Sequence, residues 1–290
     1  MNATVGRSFA YVRLLRPHQW LKNGFVLIGP AFGYPLYQAA PARIGLAFLS
    51  FCLASSAVYA FNDASDAEGD RLHPVKRLRP VAAGEIPLGM AWGTALALAA
   101  AGLAAAWQAS PTAAACIAAY LAVNAAYSMK LKDVPILDVF IIAAGFILRL
   151  LTGTIGLGIP PSQWLLLCGL MFSLFLGFGK RRSELTAMGP QARGVLREYG
   201  EGLLVQLTSI SAACAVISYS LYTMSLETIR LHGTNDLIYT VPFIVFGIFR
   251  YLYLVESRGL GQDTARDVLG DMPMLAAVIF WVGSTFLILR

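Results

Sequence analysis

The longest uncharged stretch of the chain, residues 86–129, reads IPLGMAWGTALALAAAGLAAAWQASPTAAACIAAYLAVNAAYSM and contains no Asp, Glu, Lys or Arg. About 20 apolar residues in a helix cross the hydrocarbon core of a bilayer, so this run is too long for one crossing and suits two. The Ser110-Pro111 pair in its middle supplies the turn, because Pro opens a helix but does not continue one. Further uncharged stretches cover residues 24–42, 44–61, 150–179, 203–226 and 272–289. The stretch ending before Lys180 has its own break at Gly158-Ile159-Pro160-Pro161.

The composition agrees. Of 290 residues, 57% are hydrophobic and 13% charged, against about 25% charged in an ordinary soluble domain. Disordered, collagen-like and disulfide-scaffold classes are excluded, since Pro numbers 14 and Cys only 4. Cys52, Cys116, Cys168 and Cys214 lie singly inside apolar stretches and read as small core or lipid-facing residues. The first 22 residues mix Arg7, Arg13, Arg16 and Lys22 with prolines and aromatics, a pattern unlike a cleaved signal peptide.

The expected fold class is an all-α integral membrane protein of nine transmembrane helices. They are placed at about 23–41, 43–61, 88–108, 111–129, 135–156, 163–179, 202–226, 237–255 and 272–289. No repeat or linker divides the chain, so residues 1–290 are expected to form a single membrane domain. Cytoplasmic loops are enriched in Lys and Arg. With the N-terminus inside, eighteen of the 22 Lys and Arg residues fall on the cytoplasmic side. Arg43, Arg230 and Arg290 fall outside, and Arg149 lies within a span. The net charge of +6 then belongs to the cytoplasmic face and not to a nucleic-acid footprint, so the expected surroundings are membrane lipids and no nucleic acid.

Two inside segments hold most of the ionisable residues. The first, Phe61 to Pro80, places Asn62, Asp66 and Asp70 at i, i+4 and i+8, with Asp63 at i+7 to Asp70. If the second helix continues past Phe61, these oxygens line one helical face. Stacked carboxylates repel one another unless a cation sits among them. Mg²⁺ takes carboxylate oxygens and is completed by water and substrate phosphates, and Arg71, Lys76, Arg77 and Arg79 follow as partners for a polyanion. The alternative is a solvated loop of mixed charge. The second segment carries Lys180, Arg181, Arg182, Glu184, Arg193, Arg197 and Tyr199. It reads either as an anchor for anionic headgroups or, at Lys180, Arg181 and Glu184, as substrate contact. Lys130 and Lys132 are open to both readings. Asp138 and Arg149, inside the fifth span, are expected to face the bundle interior and to be functional, because ionisable groups are expensive there. His18, His73 and His232 are scattered, and no His/Cys set for zinc, Ser/His/Asp arrangement or Gly-rich phosphate loop is visible.

Asn62-Asp63-x-x-Asp66-x-x-x-Asp70 after the second of nine spans resembles the first aspartate-rich motif of the UbiA superfamily of intramembrane prenyltransferases. More narrowly, four stretches resemble its decaprenyl-phosphate phosphoribosyltransferase branch. They are Arg16-Pro17-His18-Gln19-Trp20-Leu21-Lys22-Asn23, the run from Asn62 to Gly84, Tyr127-Ser128-Met129-Lys130-Leu131-Lys132, and Gly179-Lys180-Arg181-Arg182-Ser183-Glu184-Leu185. Where prenyltransferases acting on allylic diphosphates carry a second Asp-x-x-x-Asp cluster, this chain has Lys180, Arg181 and Glu184.

The resemblance implies a UbiA-like bundle with a cytoplasmic-side active site in a bacterial plasma membrane. It implies a glycosyltransferase moving the 5-phosphoribosyl group of 5-phosphoribosyl 1-diphosphate to a polyprenyl phosphate, with Mg²⁺ as cofactor, towards a lipid-linked pentose donor for cell-wall polysaccharide. Asn62, Asp63, Asp66 and Asp70 would hold the metal, with Asp63, Asp66, Asp70 and Lys180 as the catalytic set. Lys22, Asn23, Arg71, Lys76, Arg77, Arg79, Tyr127, Lys132, Asp138, Arg149, Arg181, Glu184 and Tyr199 are the expected substrate-binding residues. A homo-oligomer is compatible with this reading. Rivals are a UbiA-type enzyme prenylating an aromatic acceptor, and an ion-coupled transporter, which would place its acids nearer the bilayer midplane.

Overall fold

The structure, a computed structural model, describes residues 2–33, 39–72, 75–188 and 194–289. All regular structure among them is helical. The α-helices are α1 (Asn2–Leu15), α2 (Phe25–Gly33), α3 (Pro41–Ser65), α4 (Ala67–Arg71), α5 (Leu88–Ala109), α6 (Pro111–Met129) and α7 (Leu137–Gly153). They continue with α8 (Gln163–Met188), α9 (Gly194–Tyr199), α10 (Glu201–Met224), α11 (Leu226–His232), α12 (Val241–Arg258), α13 (Thr264–Gly270) and α14 (Met272–Ile288). Seven segments are long and apolar enough to span a bilayer, namely Pro41–Ser65, Leu88–Ala109, Pro111–Met129, Leu137–Leu157, Gln163–Ala187, Glu201–Met224 and Asp236–Arg258. The 17-residue α14 is a shorter apolar helix. The first expected span, at 23–41, begins two residues before α2 and takes in residues 34–38, outside the described residues. His73, Arg193 and Arg290 lie outside them too, as do the side chains of Arg7 and Arg197.

The chain divides into two compact units. One comprises residues 1–30, 39–128 and 151–159, the other 31–38, 129–150 and 160–290. In the first, α3 packs along α5. Between apolar helices in lipid, association depends on close packing of small residues. Gly102 supplies it: a Cβ there would lie 3.1 Å from the Ser50 carbonyl oxygen and 3.2 Å from the Ala54 nitrogen. Ala91, Ala95, Ala105, Ala106 and Ala109 bury the rest of the α5 face. Closer still is α2 against the end of α7, where a Cβ on Gly153 would come within 1.8 Å of the Val26 carbonyl oxygen. The expected turn at Ser110-Pro111 is present, with Ser110 extended (φ −172°) and its hydroxyl accepting from Ala113 N at 2.9 Å. At the second break, Gly158 takes φ +80°, a conformation that only Gly adopts without strain.

In the second unit α8 packs along α10, and α12 along α14. Phe175, Ala212, Ala215, Ile248, Tyr251 and Leu254 form one buried cluster. Ile210, Ile217, Phe246, Phe249, Ile279, Phe280 and Phe286 stay exposed on α10, α12 and α14, as expected of lipid-facing side chains. Arg250 donates to both oxygens of Asp271 at 2.9 and 2.7 Å, and Asp271 Oδ1 also accepts from Met274 N at the start of α14.

The expected span at 163–179 is too short as a helix limit, and the charged segment that follows it is largely helical. α8 runs on through Lys180, Arg181, Arg182, Ser183 and Glu184 to Met188, and α9 follows. Charge ends the stretch that can sit in hydrocarbon. It does not end a helix, because i,i+3 and i,i+4 charge pairs support helical structure in water.

Candidate active site

In the first unit, α3 carries Asn62 and Asp63 in its last turn and is capped by Asp66 at φ −93°, ψ 4°. The break is slight. Asp66 N donates to Asn62 O at 2.9 Å and Asp70 N to Asp66 O at 2.8 Å, so helical hydrogen bonding carries across the junction into α4. Asn62, Asp66 and Asp70 therefore keep the i, i+4, i+8 register that the spacing suggests, even though the helix ends earlier than a continuous reading would have it.

Asp63 is 1% and Asp70 4% exposed. Buried carboxylates require compensating charge, and two arginines supply it. Arg16 donates to Asp63 Oδ1 at 2.6 Å. One nitrogen of Arg79 lies 2.6 Å from Asp70 Oδ2 and 3.5 Å from Asp63 Oδ1, tying the two acids together. Lys76 Nζ stands 4.0 Å from Asp70 Oδ1. Asn62 Oδ1 accepts from Ser128 Oγ at 2.6 Å, which brings the end of α6, next to Tyr127, to the cluster. Arg71 and Arg77 are exposed, while Lys22 and Tyr127 are half-buried. Asn23 is buried, and its amide donates to Ser55 Oγ at 3.2 Å.

Asp63 Oδ2 is buried with no hydrogen-bond partner among the described residues. Leaving a buried charged acceptor unsatisfied costs more than about 1–3 kcal/mol. Such an atom, on the carboxylate that opens the acidic run, fits a divalent cation. Among the described residues no three His, Cys, Asp or Glu side chains group to hold an ion by themselves. Mg²⁺ needs only one or two carboxylates when phosphates and water complete its shell, and the donor set here is of that kind.

Arg16 belongs to the family-like stretch Arg16–Asn23 but is not among the expected site residues. Its backbone is left-handed, φ 51° and ψ 57°, directly before Pro17. That conformation costs a non-Gly residue roughly 1–2 kcal/mol, and a following Pro disfavours it further. Its guanidinium also lies over the Tyr59 ring at 4.9 Å. Only the Arg-Pro pair before a span hinted at this in the sequence. Arg13, one turn earlier, pairs with Glu85, pinning α1 to the turn that follows Arg79.

In the second unit, Asp138 is fully buried. It accepts from Arg181 Nε at 2.7 Å and from the Tyr199 hydroxyl, which in turn accepts from Ile136 N. Arg181, 7% exposed, also donates to Glu184 at 2.6 Å, and Lys180 stands 3.8 Å from the other Glu184 oxygen. Burial, with Asp138 beside it, pushes the Tyr199 phenol above its ordinary value. Of these two cations, Arg181 is committed to Asp138 and Glu184, and Lys180 is the more exposed. Arg149, the other ionisable residue of α7, is buried, donates to Gly145 O at 2.8 Å and lies over the Phe146 ring. Lys132 is half-buried.

Residues 24–269 match the UbiA prenyltransferase family. The decaprenyl-phosphate phosphoribosyltransferase of Mycolicibacterium smegmatis is 35% identical over 94% of this chain and 90% of that protein. The protein of that name from Corynebacterium glutamicum is 36% identical over 93% and 84% respectively. A UbiA homolog from Archaeoglobus fulgidus, bound to GPP and Mg²⁺, superposes with a TM-score of 0.73 over 97% of this chain and 99% of that one, at 20% identity. This last likeness bears on the fold.

Proposed function

Because this chain belongs to the UbiA prenyltransferase family, in its decaprenyl-phosphate phosphoribosyltransferase branch, we propose that it transfers the 5-phosphoribosyl group of 5-phosphoribosyl 1-diphosphate to a polyprenyl phosphate. The bond between ribose C1 and the diphosphate oxygen breaks as a phosphate oxygen of the lipid bonds to C1, and diphosphate leaves. The product is a lipid-linked pentose phosphate, a precursor of a pentose donor for cell-wall polysaccharide.

The observation that carries this reading is the buried, unpartnered Oδ2 of Asp63, a carboxylate held by Arg16 and Arg79 beside Asp70. Asp63, Asp66, Asp70 and Asn62 would hold Mg²⁺, which supplies charge stabilisation to the leaving diphosphate. Arg79 and Lys76 hold Asp70 and add positive potential for a polyanion. The acceptor needs no general base, since a phosphate monoester is already ionised at neutral pH. Positioning two anions that repel each other is the main task left to the protein. Lys22, Asn23, Arg71, Arg77, Tyr127, Lys132, Lys180, Arg181, Glu184, Asp138, Arg149 and Tyr199 enter the proposal through the family resemblance. Nine spans, a cytoplasmic N-terminus and a site on the cytoplasmic side of a bacterial plasma membrane complete it.

The test incubates purified protein with Mg²⁺, polyprenyl phosphate and labelled phosphoribosyl diphosphate. Label is expected in the lipid fraction. A lipid fraction that stays unlabelled, while an allylic diphosphate alkylates an aromatic acceptor, would replace this proposal with the prenyltransferase alternative.

A further inference from the structure

Arg16 makes a pairing that a stability role alone does not explain. Arginine and carboxylate commonly meet through two parallel hydrogen bonds that use both oxygens. Here Arg16 meets Asp63 end-on through Oδ1 at 2.6 Å, Arg79 approaches the same oxygen at 3.5 Å, and Oδ2 is left buried and unpartnered. Two cations thus converge on one oxygen of a side chain that solvent does not reach. The asymmetry is held from both ends of Arg16. Its left-handed backbone is tied by Arg16 N donating to Val12 O at 3.1 Å and Gln19 N donating to Arg16 O at 2.9 Å. Its guanidinium rests on the Tyr59 ring one turn before Asp63 on α3. Strained backbone persists where the surroundings over-determine it, and such residues cluster at functional sites.

We propose that Arg16 is a positioning residue for Asp63: by occupying Oδ1 it fixes the carboxylate so that the buried Oδ2 presents its lone pairs to the divalent cation. This rests on the metal-diphosphate reading above. Arg16 acts through Asp63, as outer partners of metal-binding carboxylates orient their ligands, and it needs no contact with the transferred group.

The sign of one measurement separates positioning from simple electrostatics. A cation 2.6 Å from a metal-binding carboxylate competes with the metal for its charge, so deleting it would tighten metal binding if charge were all that mattered. Positioning demands the opposite. Mn²⁺ binding to the purified full-length protein, read from the free-ion EPR signal with and without inorganic diphosphate, provides the test. Arg16→Gln is expected to weaken Mn²⁺ binding by about tenfold or more in both conditions. Arg16→Lys should recover part of the loss, and Arg13→Gln, in the last turn of α1 and paired with Glu85, should match the wild type. Tyr59→Leu keeps both charges and removes the ring beneath Arg16, so it should weaken binding in the same direction, which covers the case in which Arg16→Gln fails to fold. Unchanged or tighter binding in Arg16→Gln or Tyr59→Leu overturns the proposal. So does a loss confined to the diphosphate-containing samples, which would make Arg16 a phosphate ligand instead. Wild-type protein whose Mn²⁺ binding is absent, or insensitive to Asp63→Asn, overturns both this inference and the metal reading it rests on.

Discussion

Asp66 shows how residue identity and placement divide the work at the site. It caps α3, and its carbonyl accepts from Asp70 N, so its backbone holds the register of the acidic run whatever its side chain. Asp66→Ala should therefore fold and insert normally while losing transfer by at least about a hundredfold, the order expected when a group stabilising transition-state charge is removed. Phosphoribosyl transfer and a thermal melt on the same preparation check this, and near-normal transfer would remove Asp66 from the metal site. The acids were legible in the sequence because their spacing alone implies one helical face. Arg16 was not, because a left-handed residue before Pro is a property of backbone conformation that no periodicity reports. Nor does the sequence show that Arg181 is neutralised by Asp138, 43 positions away, since long-range pairing between helices leaves no local pattern.

At the scale of elements, the junctions between helices carry the constraints. A Cβ on Gly153 would meet the backbone of Val26 in α2, and backbone cannot step aside as a flexible side chain can. Gly153→Ala should destabilise by about 1–3 kcal/mol through overpacking. Gly89→Ala, in α5 with open space around it, should be neutral or slightly stabilising because Ala favours helix. Melting temperatures in one detergent compare the two, and equal stability for both would refute the close approach of α2 to α7.

The Asp138–Tyr199 contact joins α7 to α9 and carries a pH signature. The folded chain holds the Tyr199 proton above its ordinary value. The contact's contribution is thus complete below about pH 10, where an unfolded Tyr begins to ionise, and is lost as pH rises beyond it. Wild-type melting temperature should fall more steeply above that pH than that of Tyr199→Phe, and parallel alkaline profiles would contradict the assignment. The limits of α5 and α6 lie close to the ends of the uncharged run that contains them. The extent of α8 does not follow from its uncharged run, since hydropathy marks where lipid ends and is silent about where hydrogen bonding ends.

For the whole molecule, orientation is set by the distribution of Lys and Arg. Single cysteines placed in a background lacking the four native ones (Cys52, Cys116, Cys168 and Cys214) should react with an impermeant maleimide in intact cells at Asn235. They should resist it at Glu68 and Thr186 until the membrane is opened. Labelling at Glu68 in intact cells would invert the orientation and, with it, the side on which the donor must be supplied. The division into uncharged helices and charged ends was readable at this scale because a bilayer imposes one rule on every span. The grouping of helices into two compact units was not, because lipid-facing and helix-facing apolar surfaces have the same composition.

The continuation of α8 from Lys180 to Met188 stands, at about 1.5 Å per residue, as a post rising roughly 13 Å from the apolar part of the helix. Charges on a post have already surrendered their conformational freedom during folding. An anion arriving there finds Lys180 already held beside Glu184, so that encounter should proceed without the slower ordering phase that a loop of the same composition would impose.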